Sequence, residues 1–290
     1  MSLIDLVRPY KSIDVSGFIP VKAGSETIGL VPGNFARSVA ALNDTWLYRD
    51  DSLTLNPQFD SFDARTKAVD ESCFLAMANG LIPPKPDYPH GDDWFGIGKN
   101  RQIDPLFIMR RFFVVCFGIE FDTVIVNGFE QGQLWVAVRG TDVDTAPGKL
   151  DTMIAGAFHH GQTPVDALLY EGEQEASLTS DWLDKIDFVK KIQVSQKNKH
   201  GFLRDEIFYI YDFDTRGQFV PVTNMDWEVH EFKKMPYDDI LPLLATGINF
   251  KGEIHLTKLD FLLRHGFLDT ARPEHAALEQ LINESKDFYA

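Results

Sequence analysis

Glu171, Gln174 and Glu175 stand at i, i+3 and i+4, a spacing that stacks three oxygen-bearing side chains on one helix face. A glycine loop, Gly156-Ala-Phe-His-His-Gly-Gln162, leads into that helix. Thr163, Pro164 and Asp166 then supply an N-cap, a first-turn proline and an acid at the third helical position. The pattern predicts a helix from about Pro164 to Ala176. Val165, Leu168, Leu169, Gly172 and Ala176 recur as a buried stripe, with the acids beside it. Ala167, one turn earlier on the acids' face, leaves room next to them. Like charges one turn apart cost roughly 0.2–0.5 kcal/mol in an isolated helix. A hard cation bound by their oxygens reverses that penalty, since magnesium takes one or two carboxylates plus phosphate oxygens and water. A loop and helix of this kind suit holding a divalent ion against a diphosphate. The plainer alternative is a solvated acidic face.

The segment resembles the Nudix box, G-x5-E-x7-R-E-U-x-E-E-x-G-U, where U is aliphatic. Gly156 matches the first glycine, Glu171 the glutamate of the Arg-Glu pair, Glu175 the last glutamate, and Leu178 the closing aliphatic residue. Gln162, Tyr170, Gln174 and Ser177 replace the loop glutamate, the arginine, the first glutamate of the pair and the glycine. Gly172 stands where an aliphatic residue is usual. Further likeness covers about residues 12–268. Leu134-Trp-Val-Ala-Val-Arg139, Pro147-Gly-Lys-Leu-Asp151, Ile154-Ala-Gly156 and Glu171 through Leu178 resemble the thiamin-pyrophosphokinase-related Nudix subfamily. Asp104-Pro-Leu-Phe107, Val126-Asn-Gly128, the stretch 226–232 and Leu259 through Phe267 also resemble it. In that subfamily the Ala-Ser-Leu ending is usual, so Ser177 is no peculiarity of this chain.

The resemblance implies an α/β/α sandwich preceded by a smaller α+β domain, and a diphosphatase acting on oxidised or damaged thiamin diphosphate. The products are the monophosphate and phosphate. Another nucleoside-diphosphate-type substrate, or a diphosphate-binding module with weakened catalysis, is the alternative. Glu175 is expected to hold magnesium, or manganese in its place. Glu171 is expected as second ligand or water-orienting base, and Gln174 as a neutral oxygen ligand that lowers metal affinity. Glu228, ahead of Glu231, is expected as a further ligand from a later strand. Arg139 and Lys149 flank the loop and are expected at phosphate oxygens, with Gly156 beneath them. A surface salt bridge is the alternative for Arg139. His159 and His160, adjacent on a turn, read as loop residues at the cleft mouth rather than ligands. Trp94, Phe95 and Trp227 are aromatic candidates for a flat heterocycle.

At 290 residues the chain is long enough for one or two domains. A net charge of −15 argues against nonspecific binding to nucleic acid or anionic membrane. It also calls for a local cation if the ligand is itself anionic. No segment reads as a signal peptide or membrane span, so the cytosol is the expected compartment. Two cysteines, Cys73 and Cys116, are too few for a disulfide framework or zinc site. A boundary is expected near residue 100, with an α+β unit over 1–100 and the catalytic unit over 101–290. Strands are predicted at Gly17–Val21, Thr27–Val31, Arg111–Ile119, Thr123–Phe129, Gln133–Arg139 and Glu206–Phe213. Helices are predicted over Ala64–Met77, from Pro236 to Leu244 and from Lys258 to His265. A proline-rich loop is expected over 83–93.

Overall fold

Val124 and Val126 face one way along a strand and Ile125 the other, and all three are buried, so layers must cover both faces of their sheet. The computed structural model describes residues 2–84, 93–143, 145–223 and 228–289. The elements run α1 (Leu3–Val7), β1 (Phe18–Ala23), β2 (Glu26–Pro32), α2 (Gly33–Ala40), β3 (Trp46–Arg49), β4 (Ser52–Leu55), α3 (Phe62–Ala78), β5 (Trp94–Ile97), β6 (Phe107–Arg110) and α4 (Arg111–Cys116). They continue with β7 (Phe121–Glu130), β8 (Gln133–Arg139), β9 (Leu150–Asp151), β10 (Ile154–Ala157), α5 (Pro164–Ala176), β11 (Ile186–Lys197), β12 (Leu203–Asp214), β13 (Val229–Pro236), α6 (Tyr237–Thr246), α7 (Ile254–Arg264) and α8 (Pro273–Asn283).

The larger sheet has the order β11-β12-β7-β8-β13, with β10 on β7 and β9 on β8. Among the described residues of this sheet, only the β12–β7 pairing of strands is parallel. Val124, Val126, Tyr211 and Phe213 pack against Ala167, Leu168 and Ala176 of α5 on one face. Ile125, Leu134, Val136, Phe208 and Ile210 pack against α6, α7 and α8 on the other. The result is the expected α/β/α sandwich.

The first part of the chain forms a four-stranded sheet, β2-β1-β4-β3, with its own core. That core also takes in Phe121, Ala157 and Phe202. Val7 of α1 instead lies in the core under α7 and α8. Residue 100 falls in the loop between β5 and β6, which pair with one another.

Two expectations need correction. Arg111–Ile119 is not a strand: Arg111–Cys116 forms helix α4, ended by Gly118 at φ +59°. Its β-branched and aromatic residues favour strands, but the run is too short for periodicity to decide, and burial of Phe113, Val114 and Cys116 in the first core selects the helix. Cys116 is buried as expected, though on a helix. In α5, Val165 is 45% exposed, and the buried face is Ala167, Leu168, Gly172, Glu175 and Ala176. Val165 and Leu169 lie at the edge of that arc, and Glu175 near its middle. The acids are therefore inside the apolar face, not beside it. Much of the expected proline-rich loop lies outside the described residues, as does Trp227.

Candidate active site

The start of α5 forms as its sequence dictates. The Thr163 side chain accepts from the Asp166 N–H at 3.2 Å, and the Asp166 carboxylate accepts from the Thr163 N–H at 2.9 Å. This capping box fixes where the helix begins and so which residues turn inward. The other end closes through Ser177 in the left-handed conformation, φ 55°, with the Leu178 N–H donating to the Gly172 carbonyl at 2.9 Å. Leu178 folds back over the helix. A Cβ on Gly172 would lie 2.7 Å from its Cδ2, which accounts for a glycine at that position.

Glu171 lies across the backbone of β10. A Cβ on Gly156 would sit 1.9 Å from the Glu171 Cδ and 2.2 Å from Oε1. Gly156 is thus glycine because a carboxyl group occupies the place of its side chain. One turn on, Glu175 is only 5% exposed, and its Oε2 accepts the Ala155 N–H at 2.8 Å. Burial pushes the Glu175 carboxyl well above the usual carboxylate range. The negative charge of Glu171, then those of Glu228 and Asp151, push it further, against the opposing Ala155 bond. Three acids, Glu171 of α5, Asp151 of β9 and Glu228 just before β13, therefore act on Glu175. Gln174 is half-buried on the same helix.

Arg139, at the end of β8, has each of its nitrogens engaged. Nε donates to the Thr145 carbonyl at 2.9 Å, Nη1 to Asp151 Oδ2 at 3.1 Å, and Nη2 lies 3.7 Å from Glu228 Oε2. The Glu228 carbonyl in turn accepts the Gly140 N–H at 2.8 Å, which pins Glu228 beside Arg139. Lys149 is brought to the same place by its carbonyl, which accepts the Arg139 N–H at 2.9 Å. Glu231 points elsewhere: it pairs with Lys233 at 2.8 Å on the exposed edge, where that bond holds its carboxyl below the usual range. Of the two later glutamates, only Glu228 joins the acidic group.

Gln162 closes the loop on itself, its Oε1 accepting the His159 N–H at 2.8 Å. His159 Nε2 lies 3.4 Å from Asp93, and its ring meets Tyr170 edge-on at 5.0 Å. The His160 N–H donates to the Trp94 carbonyl at 2.6 Å. Both histidines thus serve the loop. Phe95 is core, and the face of Trp94 is covered by the Arg110 guanidinium at 4.4 Å.

Sequence reasoning did not single out Asp151 or Lys251. Asp151 is buried, bonded to Arg139, and 3.7 Å from Lys251 Nζ. Its place in Pro147-Gly-Lys-Leu-Asp151 was the available signal. Lys258 was invisible as a polar residue in an apolar helix. It is fully buried, donates to Asn127 Oδ1 and Thr152 Oγ1 at 3.0 Å each, and burial brings it down to about 8.

Among the described residues, no group of three or more His, Cys, Asp and Glu side chains is already arranged as a metal site. The donors present are nevertheless hard oxygens, and two carboxylates suffice for magnesium when phosphate and water complete its shell.

No family model matches the chain. It is 28% identical over 263 residues to Nudix hydrolase 24, chloroplastic, of Arabidopsis thaliana, covering 89% of this chain and 69% of that protein. It is 28% identical over 270 residues to Nudix hydrolase 20, chloroplastic, of the same plant, covering 89% and 70%. The uncharacterized protein YJR142W of Saccharomyces cerevisiae is 26% identical over 191 residues, covering 60% and 55%. Among solved structures, DR0079 from Deinococcus radiodurans overlays at a TM-score of 0.37 with 20% identity, covering 51% of this chain and 83% of that one. Across most of its length the chain is thus similar to two curated Nudix hydrolases.

Proposed function

We propose that the protein is a magnesium-dependent diphosphatase that cleaves an oxidised or damaged thiamin diphosphate to the monophosphate and phosphate. The observation that carries the chemistry is the Glu171 carboxyl lying on Gly156 while Glu175, one turn away, is buried among further acids. Bound magnesium, or manganese, supplies charge neutralisation on the bridging and leaving oxygens. Glu175, Glu171, Glu228 and the Gln174 carbonyl oxygen are the groups that would hold it.

The chain's own tasks follow from placement. Glu171, the less buried of the two helical acids, orients or deprotonates the attacking water. The missing side chain at Gly156 lets the Glu171 carboxyl lie against β10, at the edge where the phosphate chain would be received. Lys149, on the loop behind Arg139, offers a cation to phosphate oxygens. The thiamin-type substrate rests on the subfamily resemblance of the sequence.

A panel of diphosphates tests this reading. Phosphate release from oxidised thiamin diphosphate, dependent on magnesium and reduced at least about 100-fold in Glu175→Gln, is expected. Preference for a nucleoside diphosphate sugar or a dinucleotide would keep the chemistry and replace the substrate. Tight binding without turnover would instead select a diphosphate-binding module.

A further inference from the structure

Arg139 has the chemistry to grip phosphate, yet its contacts leave it committed elsewhere. It is about nine-tenths buried, and its three nitrogens meet the Thr145 carbonyl, Asp151 and Glu228. The two acids are not otherwise alike. Asp151 is buried and is also approached by Lys251, whereas Glu228 is 45% exposed at the open end of the cluster. Both acids act electrostatically on Glu175. Arg139 is thus the group that joins β9 to the start of β13 across β8, and it does so at the acids surrounding Glu175.

We infer that Arg139 is a positioning residue: its guanidinium sets Glu228 and Asp151 in place around Glu175, and it is not a phosphate ligand. This rests on the metal-site reading above. A fork with donors on three sides can hold two carboxylates and a carbonyl at fixed angles. A lysine ammonium keeps the charge but not that geometry. Groups that orient metal-bearing carboxylates from behind typically change metal affinity by 10–100-fold when lost.

The test is magnesium and manganese binding to the whole, substrate-free protein, measured by calorimetry and by manganese paramagnetic resonance. Arg139→Gln and Arg139→Lys are compared, with thermal melts and circular dichroism recording folding. Positioning predicts that both variants lose about tenfold in metal affinity, the lysine variant included although its charge is intact. In the Arg139→Gln background, adding Glu228→Gln then costs less than it does alone, because the two residues act as one unit.

Three results would overturn the proposal. Tighter metal binding in Arg139→Gln with wild-type behaviour in Arg139→Lys would make Arg139 a bystander charge. Unchanged metal affinity in both, with weakened binding of a non-cleavable diphosphate, would make it a phosphate ligand. Full additivity with Glu228→Gln would separate the two residues. Unaltered metal affinity in Glu175→Gln is a different outcome, because it removes the metal site itself rather than the role of Arg139 within it.

Discussion

Gly156 shows how one residue type can be dictated by another far along the chain. The missing side chain is the space the Glu171 carboxyl fills, and a Cβ there would overlap it at 1.9 Å. Gly156→Ala is expected to fold, since the clash is with a movable side chain. It should push Glu171 aside and lower turnover by about 100-fold, the cost of displacing a reacting group by an ångström. Wild-type turnover in a folded Gly156→Ala protein would dissociate Glu171 from the chemistry. At this scale the sequence was informative about types and spacing. Glu171, Glu175 and Gly156 were readable because helical periodicity and a loop glycine are local signals. The engagement of Arg139 with Asp151 and Glu228 was not, because those partners come from β9 and the start of β13, and no local pattern encodes their meeting.

Helix α5 carries a contradiction within a single element. Its apolar face contains an acid, Glu175, near the centre of the buried arc. The folded carboxyl takes up its proton more readily than the same group in the unfolded chain, through burial and then the charge of Glu171. A raised acid leaves the folded state binding more protons than the unfolded one, so stability falls as pH rises from the ordinary glutamate range toward the folded value. Metal-free Glu175→Gln should therefore melt higher than the parent at pH 8, by about 2–4 °C for each kcal/mol recovered, with the difference vanishing toward pH 4. The glutamine keeps an acceptor for the Ala155 N–H. A lower melting temperature for the variant at pH 8 would refute this account of the buried acid. The limits of α5 were legible from Thr163, Pro164 and Asp166 because capping is encoded within four residues. The error at Arg111–Ile119 came from a six-residue element, where strand-favouring side chains and a short helix share one hydrophobic run.

Across the molecule, β2 of the first sheet meets the turn that ends α4, backbone to backbone. The Leu30 N–H donates to the Gly118 carbonyl at 3.1 Å, and a Cβ on Gly118, itself at φ +59°, would fall 1.9 Å from the Leu30 oxygen. The Tyr289 hydroxyl reaches that same Gly118 carbonyl at 3.3 Å. Gly118→Ala adds a left-handed strain of roughly 1–2 kcal/mol to a clash with backbone that no rotamer relieves. It should lower the melting temperature by well over 5 °C, measured by calorimetry. A melt within a degree of the parent would mean the contact is dispensable. The layered sandwich was expected from the subfamily resemblance, not from alternation, since β7 is buried on both faces. The sharing of Phe121, Ala157 and Phe202 with the first core was not, since tertiary contact alone creates it.

Ala157 closes the strand on which Glu171 rests, and its methyl belongs to the hydrophobic interior built by residues before position 120. The His160 amide is tied to Trp94 from below as well. The early segment is therefore a foundation beneath the corner where Glu171 meets Gly156. Catalytic tempo can consequently drift through substitutions among its buried aromatics, without any change to a carboxylate, an arginine or the capped helix.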